Sequence, residues 1–567
     1  MQPQPWPGPD PQIAAAIAAM YRGKRERPLA VQVRDRLGEL FGDGEFAAAF
    51  GQRGKPGWSP GRLALVTVLQ KAEDLTDRQA AGQVRENLAW KYALGLSLTD
   101  PGFDHSVLSE FRSRVVAHGL EERTLDLLLA TLVEHGLLGV GGKQRTDSTH
   151  VIAAVRDLNR LELAGESVRA ALEALSSAAP HWLTDVVDAS WSDRYAERID
   201  SWRMPTSKTK KDALALDFGR DGFALLGALH SPGQPAWLRQ LPAVQTLRIV
   251  LLQNYTRTVA GNGREVVKRR EKQSEGGDGL PPGEHRLSSP YDTDARWSAK
   301  RDTFWNGFKL HISESCRAQD TGNAPGATAN LITNVATTAS TLSDSMALEG
   351  IHRQQQRRGL LPVEHYLDSG YPSAELIVAS RCDYGVALIA PILLDRSRQG
   401  KDRAGFAADD FQINWEGEQV TCPAGQVSAS WNPVVQDGRP KTVVSFAARD
   451  CVPCPFKGQC TRAKRRQLSL QRRDVTEAMR TARTHQQTKD WKDDYALRSG
   501  VEGTIRQAIA VTRIRRARYR GLAKTHLDHA FSATAINLIR LNAWWNGHPL
   551  DRTRTSHLAR LDFALTG

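Results

Sequence analysis

Three acidic residues, far apart in the chain, stand where a carboxylate can do chemistry. Asp147 lies in RTDSTHV, which reads as the end of a buried strand. Asp368 lies in HYLDSGY, where a strand runs into Gly370 and a turn. Glu502 lies in YALRSGVEGTIRQ, within a basic helix. Strand ends in α/β folds are where ligands and reacting groups collect. Three carboxylates brought together offer hard oxygen ligands, which Mg²⁺ prefers, and can hold a pair of ions for in-line phosphodiester cleavage. Taken singly, each acid has a plainer reading. An Asp after a strand commonly serves a turn or cap. Glu502 is four residues from both Arg498 and Arg506, the spacing of helical ion pairs. Its neighbourhood favours the chemical reading. Tyr495, Arg498 and Glu502 follow at intervals of three and four, so an acid, a phosphate-binding guanidinium and a phenol share one helical face.

Charge points the same way. The 567-residue chain carries a formal net charge of +13. Residues 461–524 hold 18 Lys and Arg against 6 Asp and Glu, which leaves the rest of the chain close to neutral. Clustered cations gain by releasing phosphate counterions, so this segment implies a polyanionic partner. Within TRIRRARYRGLAKTH, Arg513, Arg515, Arg516, Arg518 and Arg520 are expected to track phosphates, with Tyr519 to stack. RAKRRQLSLQRR reads as a DNA-backbone contact or as a solvated face. In FWNGFKLH, Lys309 suits a phosphate contact and Trp305 a base, though strand alternation makes a core Trp the commoner outcome. His150 and His311 read as structural. Asp292 and Asp294 in YDTDARWSAK are rival acids, read as a loop that positions Lys300 or caps the next strand.

Four of the six cysteines have the spacing C-x28-C-x2-C-x5-C, at Cys422, Cys451, Cys454 and Cys460. Such a set can form a structural Zn²⁺ site in a small β-rich insertion; reduced thiols or a redox pair are the alternatives. Cys316 and Cys382 are expected to be buried small residues. No apolar run approaches the ~20 residues of a membrane span. The start lacks the pattern of a signal peptide. No GxxxxGK[ST] phosphate loop is present, so no nucleotide cofactor is expected. These features place the chain in the cytoplasm.

The elements that must position these residues read as follows. Residues 28–140 are helical: Ser59–Pro60 and Thr76 mark helix starts, Ala80, Val84, Leu88 and Tyr92 form one stripe, and Arg112 and Arg114 lie on an exposed face. This region suits helix-turn-helix DNA binding or, equally, dimerisation and packing. A helix-rich stretch runs from Arg156 to about Pro282. TFWNGFKLHISES, NLITNVATT, VEHYL and YGVALIAPILL are strand-like, and strands separated by helices indicate an α/β core. The stretch from about Asp395 to Arg473 is β-rich and holds the four cysteines. Helices follow from Val475.

Taken in order, GKPGWSPGRLALVTVLQ, LTDRQAAGQVRENLAWKYALGL, FDHSVLSEFRSR, YDTDARWSAK, WNGFKLH, YLDSGYPS and YALRSGVEG resemble successive motifs of the DDE transposases of bacterial insertion sequences. The resemblance is to the broad group that includes the IS-four and IS-five types, and within it to the family numbered eleven-eighty-two. It implies an α/β, RNase H-like catalytic core over 141–567, with a helical insertion at about 156–282 and the cysteine-containing insertion at about 395–473. An N-terminal helical domain, 1–140, would bind DNA or dimerise. The resemblance carries the catalytic, Mg²⁺- or Mn²⁺-binding triad onto Asp147, Asp368 and Glu502. Tyr495 and Arg498 fall on the Tyr and Arg of a Tyr-Arg-Glu-Lys signature. The position of its Lys, seven residues after the Glu, is Ile509 here, and Arg506 and Arg513 on either side are candidates to substitute. The implied activity is binding of terminal inverted repeats, cleavage there, and joining of 3′-OH ends to target DNA. The implied partner is double-stranded DNA, bound by a homodimer or larger assembly at the bacterial nucleoid. A non-enzymatic DNA-binding regulator derived from a transposase is the second reading. A Tyr or Ser recombinase, which would leave a covalent protein–DNA link, is the third.

Overall fold

The computed structural model describes residues 5–23, 26–51, 57–199, 204–259, 261, 265–300, 302–316, 329–395 and 397–548. The end of the expected catalytic region, 549–567, lies outside them. The strands, in chain order, are β1 (Gly141–Ile152), β2 (Tyr255–Val259), β3 (Glu265–Arg269), β4 (Arg296–Lys300), β5 (Thr303–Cys316), β6 (Ile332–Ala339), β7 (Pro362–Leu367), β8 (Ala387–Ile389), β9 (Gln412–Asn414), β10 (Gln419–Thr421), β11 (Ser430–Gln436), β12 (Arg439–Ser445) and β13 (Gln467–Leu470).

The N-terminal helices begin where capping residues allow. Ser59 accepts from the Arg62 N–H and Pro60 takes the first helical position of Pro60–Ala72. Thr76 and Gln79 form a reciprocal capping box on Asp77–Glu86. The single stripe expected from Ala80 to Tyr92 is broken in two. Asn87 turns its Oδ1 onto the N–H groups of Ala89 and Trp90, ending one helix and capping the next, Leu88–Leu94. Arg112 is also corrected: it is buried, and it pairs with Asp77 at 2.5 Å. The ring of Tyr519, expected to stack on a base, packs on that guanidinium at 4.8 Å instead.

These helices do not close a core of their own. Phe41, Trp90, Phe111 and Leu128 join a continuous apolar cluster with Phe531 and Leu538 of the helix Leu522–Trp545 and with Phe308, Leu310 and Ile312 of β5. Leu522–Trp545 is buried around most of its circumference, as a helix that is apolar or small on every side must be. A buried ion pair, Lys71–Asp528, crosses the same boundary. The start of this helix explains the rival acids. Asp292 Oδ2 accepts from Gly521 N at 3.1 Å and Asp294 Oδ2 from Leu522 N at 2.9 Å, so both satisfy a helix N-terminus.

The central sheet has β5 between β1 and β6, antiparallel to both, with β4 pairing the first part of β5. On the other side of β1, β7 and then β8 add in parallel. YGVALIAPILL contributes only the three half-buried residues of β8, because Pro391 removes a ladder donor at this sheet edge. At Gly307 the backbone of β5 presses against the end of β1; a Cβ there would lie 2.1 Å from the Val151 carbonyl oxygen. The stretch after β1 forms helices Arg160–Ala178, Pro180–Val186, Ala189–Tyr195, Lys208–Leu229 and Pro242–Asn254 and the hairpin β2–β3, around Val168, Phe218, Leu225 and Leu251. The cysteine-containing stretch forms the pair β9–β10 and the sheet β11–β12–β13 over Phe411, Val420, Val444, Phe446, Leu468 and Leu470.

One fully buried carboxylate on β5, Glu314, fixes the helix Gly500–Thr512 against this sheet. It accepts from Arg145 Nε of β1 at 2.7 Å, from Arg540 Nη1 at 2.9 Å and from the Thr504 hydroxyl. Arg145 Nη1 donates to the Leu497 carbonyl at 2.6 Å, and a Cβ at Gly500 would lie 2.0 Å from it. Only glycine leaves the guanidinium its place.

Two outcomes follow from these buried groups. Glu314→Gln leaves two guanidiniums short of charge, and should lower unfolding stability by about 3–5 kcal/mol in urea titration; a loss below about 1 kcal/mol would show that the network is slack. His311, His352 and His529 are each held by burial at about 4, below the ordinary imidazole value, and burial lowers His365 well below it too. Native protein therefore resists their protonation. Their contribution is complete above about pH 6.5 and is lost as pH falls from there through about 4. Urea midpoints measured from pH 7.5 down to 4.5 should fall, and a flat profile would contradict this.

Candidate functional site

The period of two along β1 puts Arg145, Asp147 and Thr149 on one face. All three address the C-terminal segment: Arg145 holds Leu497, Asp147 meets Arg498, and Thr149 Oγ1 accepts from Arg515 Nε at 2.9 Å. The opposite face carries Thr146 to His365 and Ser148 to Asp344. Thr146 stands beside Leu367 in the parallel ladder, so Asp147, within β1, is followed across the ladder by Asp368, the first residue after β7. Asp368 is turned by its own Oδ1, which accepts from Ser369 N at 2.6 Å.

The third acid comes from a run of helical segments, Lys489–Tyr495, Ala496–Ser499 and Gly500–Thr512, which brings the spacing-predicted face onto the sheet. Tyr495 stacks on Trp491 with ring centres 4.8 Å apart and donates its hydroxyl to the Leu367 carbonyl, one residue before Asp368. Arg498 Nη2 lies 2.6 Å from Asp147 Oδ2, and its Nη1 lies 3.2 Å from Glu502 Oε1. One guanidinium thus joins acids that are 355 positions apart in sequence, by the numbering of Asp147 and Glu502. The helical pair Arg498–Glu502 exists, and it is half of this larger bridge.

The electrostatics match the geometry. Asp147 has a side chain only 13 % exposed. Burial pushes its carboxyl upward and the neighbouring Asp368 adds to the rise, while Arg498, the Ser148 N–H and Lys300 oppose it. Burial works against the charge on Arg498, but the carboxylates of Asp147, Asp368 and Glu502 hold it above the ordinary value. Burial pushes the Tyr495 phenol up to about 12, so it remains a donor across the neutral range. Glu502, half exposed, faces outward from the bridge.

The other sequence-designated residues divide by exposure. Arg506 and Arg516 are exposed, and Arg516 bridges the end of β1 beside Ile152. Arg513 pairs with Asp74 at 2.7 Å. Lys309 is mostly covered; its Nζ is 2.9 Å from Asp344 Oδ1 and 2.7 Å from the Leu342 carbonyl. Trp305 is buried and donates to the Phe308 carbonyl, and His311 is buried against the Tyr371 hydroxyl. Cys316 is buried as expected, whereas Cys382 is exposed, on the helix Ala374–Tyr384 at a sheet edge.

Sequence reasoning missed Tyr371 and Asp344. Tyr371 is fully buried, in a field shared by Asp344, Asp147 and Asp368. Burial alone would raise Asp344, yet Lys309 holds it below the usual carboxylate range. The one local signal was Ser343, an N-cap immediately before it.

Cys422, Cys451, Cys454 and Cys460 line one cavity of about 30 Å³, and all are free thiols. Among the described residues, no group of three or more His, Cys, Asp or Glu side chains stands where it could hold a metal ion as placed. The donor chemistry at Asp147, Asp368 and Glu502 is nevertheless that of a hard divalent cation, and two of the three, Asp147 and Glu502, share one positive partner in Arg498.

Comparison with known families gives two matches. Residues 421–542 match a Transposase DDE domain, and residues 19–114 match a Transposase domain (DUF772). The first spans Glu502, Tyr495, Arg498 and all four clustered cysteines, while Asp147 and Asp368 lie outside both. No curated protein and no solved structure matches the chain. Together the two matches support a transposase of the DDE type, acting in transposition and DNA recombination and belonging to a class that works with divalent metal. Among the described residues no helix is long and apolar enough to cross a membrane.

Arg498 competes with any cation for Asp147 and Glu502. Arg498→Ala should therefore tighten binding of Mn²⁺ by about 1.5–5-fold, the value of one ion pair near a surface, as read by electron paramagnetic resonance of free Mn²⁺. Unchanged or weaker binding would show that the cation site lies elsewhere.

Proposed function

We propose that the chain is a DNA transposase that binds the terminal inverted repeats of an insertion sequence, cleaves at the element ends and joins the 3′-OH ends to target DNA. The observation that carries this reading is the bridge from Asp147 through Arg498 to Glu502, built beside Asp368 just after the adjacent strand. The strand order β6–β5–β1–β7–β8, with three antiparallel strands followed by two parallel additions, supports an RNase H-like core.

On this reading Asp147, Asp368 and Glu502 hold the metal. Two Mg²⁺ or Mn²⁺ ions bound there would supply an activated water or 3′-hydroxyl and stabilise the leaving oxygen. The protein's own groups do the rest. Arg498 turns from the carboxylates to the scissile phosphate, where its planar fork suits two oxygens at once. Tyr495, with its proton retained, donates a hydrogen bond next to Asp368. Arg506, Arg513, Arg515 and Arg516 hold the DNA backbone along the same face, with Arg515 set by Thr149. Lys309, on the opposite face of the sheet, is held by Asp344 in the free protein and offers its charge to phosphate when DNA arrives. Residues 1–140 contribute end binding or dimerisation, and 141–567 the catalytic part, with insertions at about 156–282 and 395–473. Two DNA ends joined in one event call for a homodimer or larger assembly.

Asp147→Asn or Glu502→Gln should reduce Mg²⁺-dependent nicking of an end-containing duplex by about 10²–10³-fold, of the order expected when a charge-stabilising catalytic group is lost. Binding of the same duplex, measured by fluorescence anisotropy, should stay within about threefold. If end binding falls together with nicking, these acids are structural. If wild-type protein binds the ends but never nicks them with either metal, the regulator reading replaces this one.

A further inference from the structure

We propose that Cys422, Cys451, Cys454 and Cys460 form a tetrathiolate site for one structural Zn²⁺. Four observations on this small module point to it. The first is convergence: thiols from the turn after β10, the one-turn helix Ala448–Cys451, the following bend and the one-turn helix Lys457–Cys460 line the same cavity of about 30 Å³. Asp450 is the one carboxylate among the lining residues, against four sulfurs, and Phe406 and Phe446 supply apolar wall. A dry, sulfur-lined pocket suits a soft-ligand tetrahedral ion, and not a hard one.

The second is a backbone already arranged for a thiolate. Cys422 N donates to the Gln426 carbonyl, Gly425 N to the Cys422 carbonyl, and Gln426 N reaches Cys422 Sγ at 3.3 Å. An N–H aimed at sulfur lowers the cost of negative charge on it.

The third is Arg466. Its Nη1 donates to the Cys460 carbonyl and its Nη2 to the Phe406 carbonyl, yet its buried Nε–H has no partner. A buried guanidinium donor left open is costly unless an anion receives it. Zinc with four thiolates carries a net charge of −2, and Arg466 and Lys457 line the cavity that would hold it.

The fourth is need. Residues 446–466 contain only two one-turn helices, and they rest on a core of six buried apolar side chains. A cluster that small gains most from a metal staple. Binding displaces the four thiol protons to solvent as four S–Zn bonds form, and draws the sulfurs in from the cavity wall.

The test uses the full chain purified without chelator. Elemental analysis should find one zinc per chain. Replacement by Co²⁺ should give the intense sulfur-to-metal charge-transfer and d–d bands of tetrahedral tetrathiolate coordination. Cys454→Ser should lower the zinc content by at least tenfold, and Cys382→Ser should leave it unchanged. Folded wild-type protein with no metal and four reactive thiols would overturn the proposal. So would a Cys451–Cys454 disulfide in non-reducing peptide mapping, or an iron chromophore in place of zinc. Should Cys454→Ser fail to fold, the wild-type metal content and Co²⁺ spectrum decide alone. None of these readouts depends on DNA cleavage, so they are separable from the transposase reading.

Discussion

A buried carboxylate without partners is among the costliest groups a fold can contain, and Glu314 is such a group satisfied by three donors. Arg145 reaches it from β1, Thr504 from the helix Gly500–Thr512, and Arg540 from the helix Leu522–Trp545, while Arg540 also bonds Thr504 at 2.6 Å. The helix carrying Glu502 can therefore dock on the sheet in one way only, since any shift strands charge in the interior. That docking sets the height at which Arg498 meets Asp147, two residues along β1 from Arg145. The arrangement of the acids is thus a consequence of satisfying Glu314, and Gly500 is the small residue that makes room for it.

The same segment is tied to the N-terminal helices. Beyond Arg515, Arg518 Nη2 donates to the Leu75 carbonyl, Arg513 pairs with Asp74, and Tyr519 packs on Arg112. Ile152 N and Ala517 N exchange hydrogen bonds with the facing backbone, so the arginine-rich stretch lies along the end of β1 as an extra short ladder. Positive charge here is distributed by structure: some arginines hold the two regions together, and Arg506 and Arg516 are left at the surface.

Local features were legible in the sequence. The Ser59–Pro60 start, the Thr76 capping box, the strands around Asp147 and Asp368, and the Tyr495–Arg498–Glu502 face all depend on residues within a turn or a strand of one another. What was not legible depends on distant partners. Arg112 looked exposed because nothing nearby announces Asp77 and Tyr519. Asp292 serves its own loop as read, accepting from Asp294 N and Ala295 N just before β4, but it and Asp294 also cap a helix that begins more than two hundred residues later. Asn87 could be read either as one more helical residue or as a cap, and the competition between its side chain and the backbone decided for the cap. Glu314, within an otherwise ordinary strand, carried no local mark of its role.

On the proposed reading, Asp147, Asp368 and Glu502 form one shared metal site. Protein loaded with Fe²⁺ in place of Mg²⁺ and exposed to peroxide and ascorbate is cut by radicals generated at the bound ion. Mass spectrometry should map three clusters of cuts, near 147, 368 and 502, and excess Mg²⁺ should suppress all three together. Cuts at one acid without the others, or cuts that Mg²⁺ does not protect, would contradict a shared site.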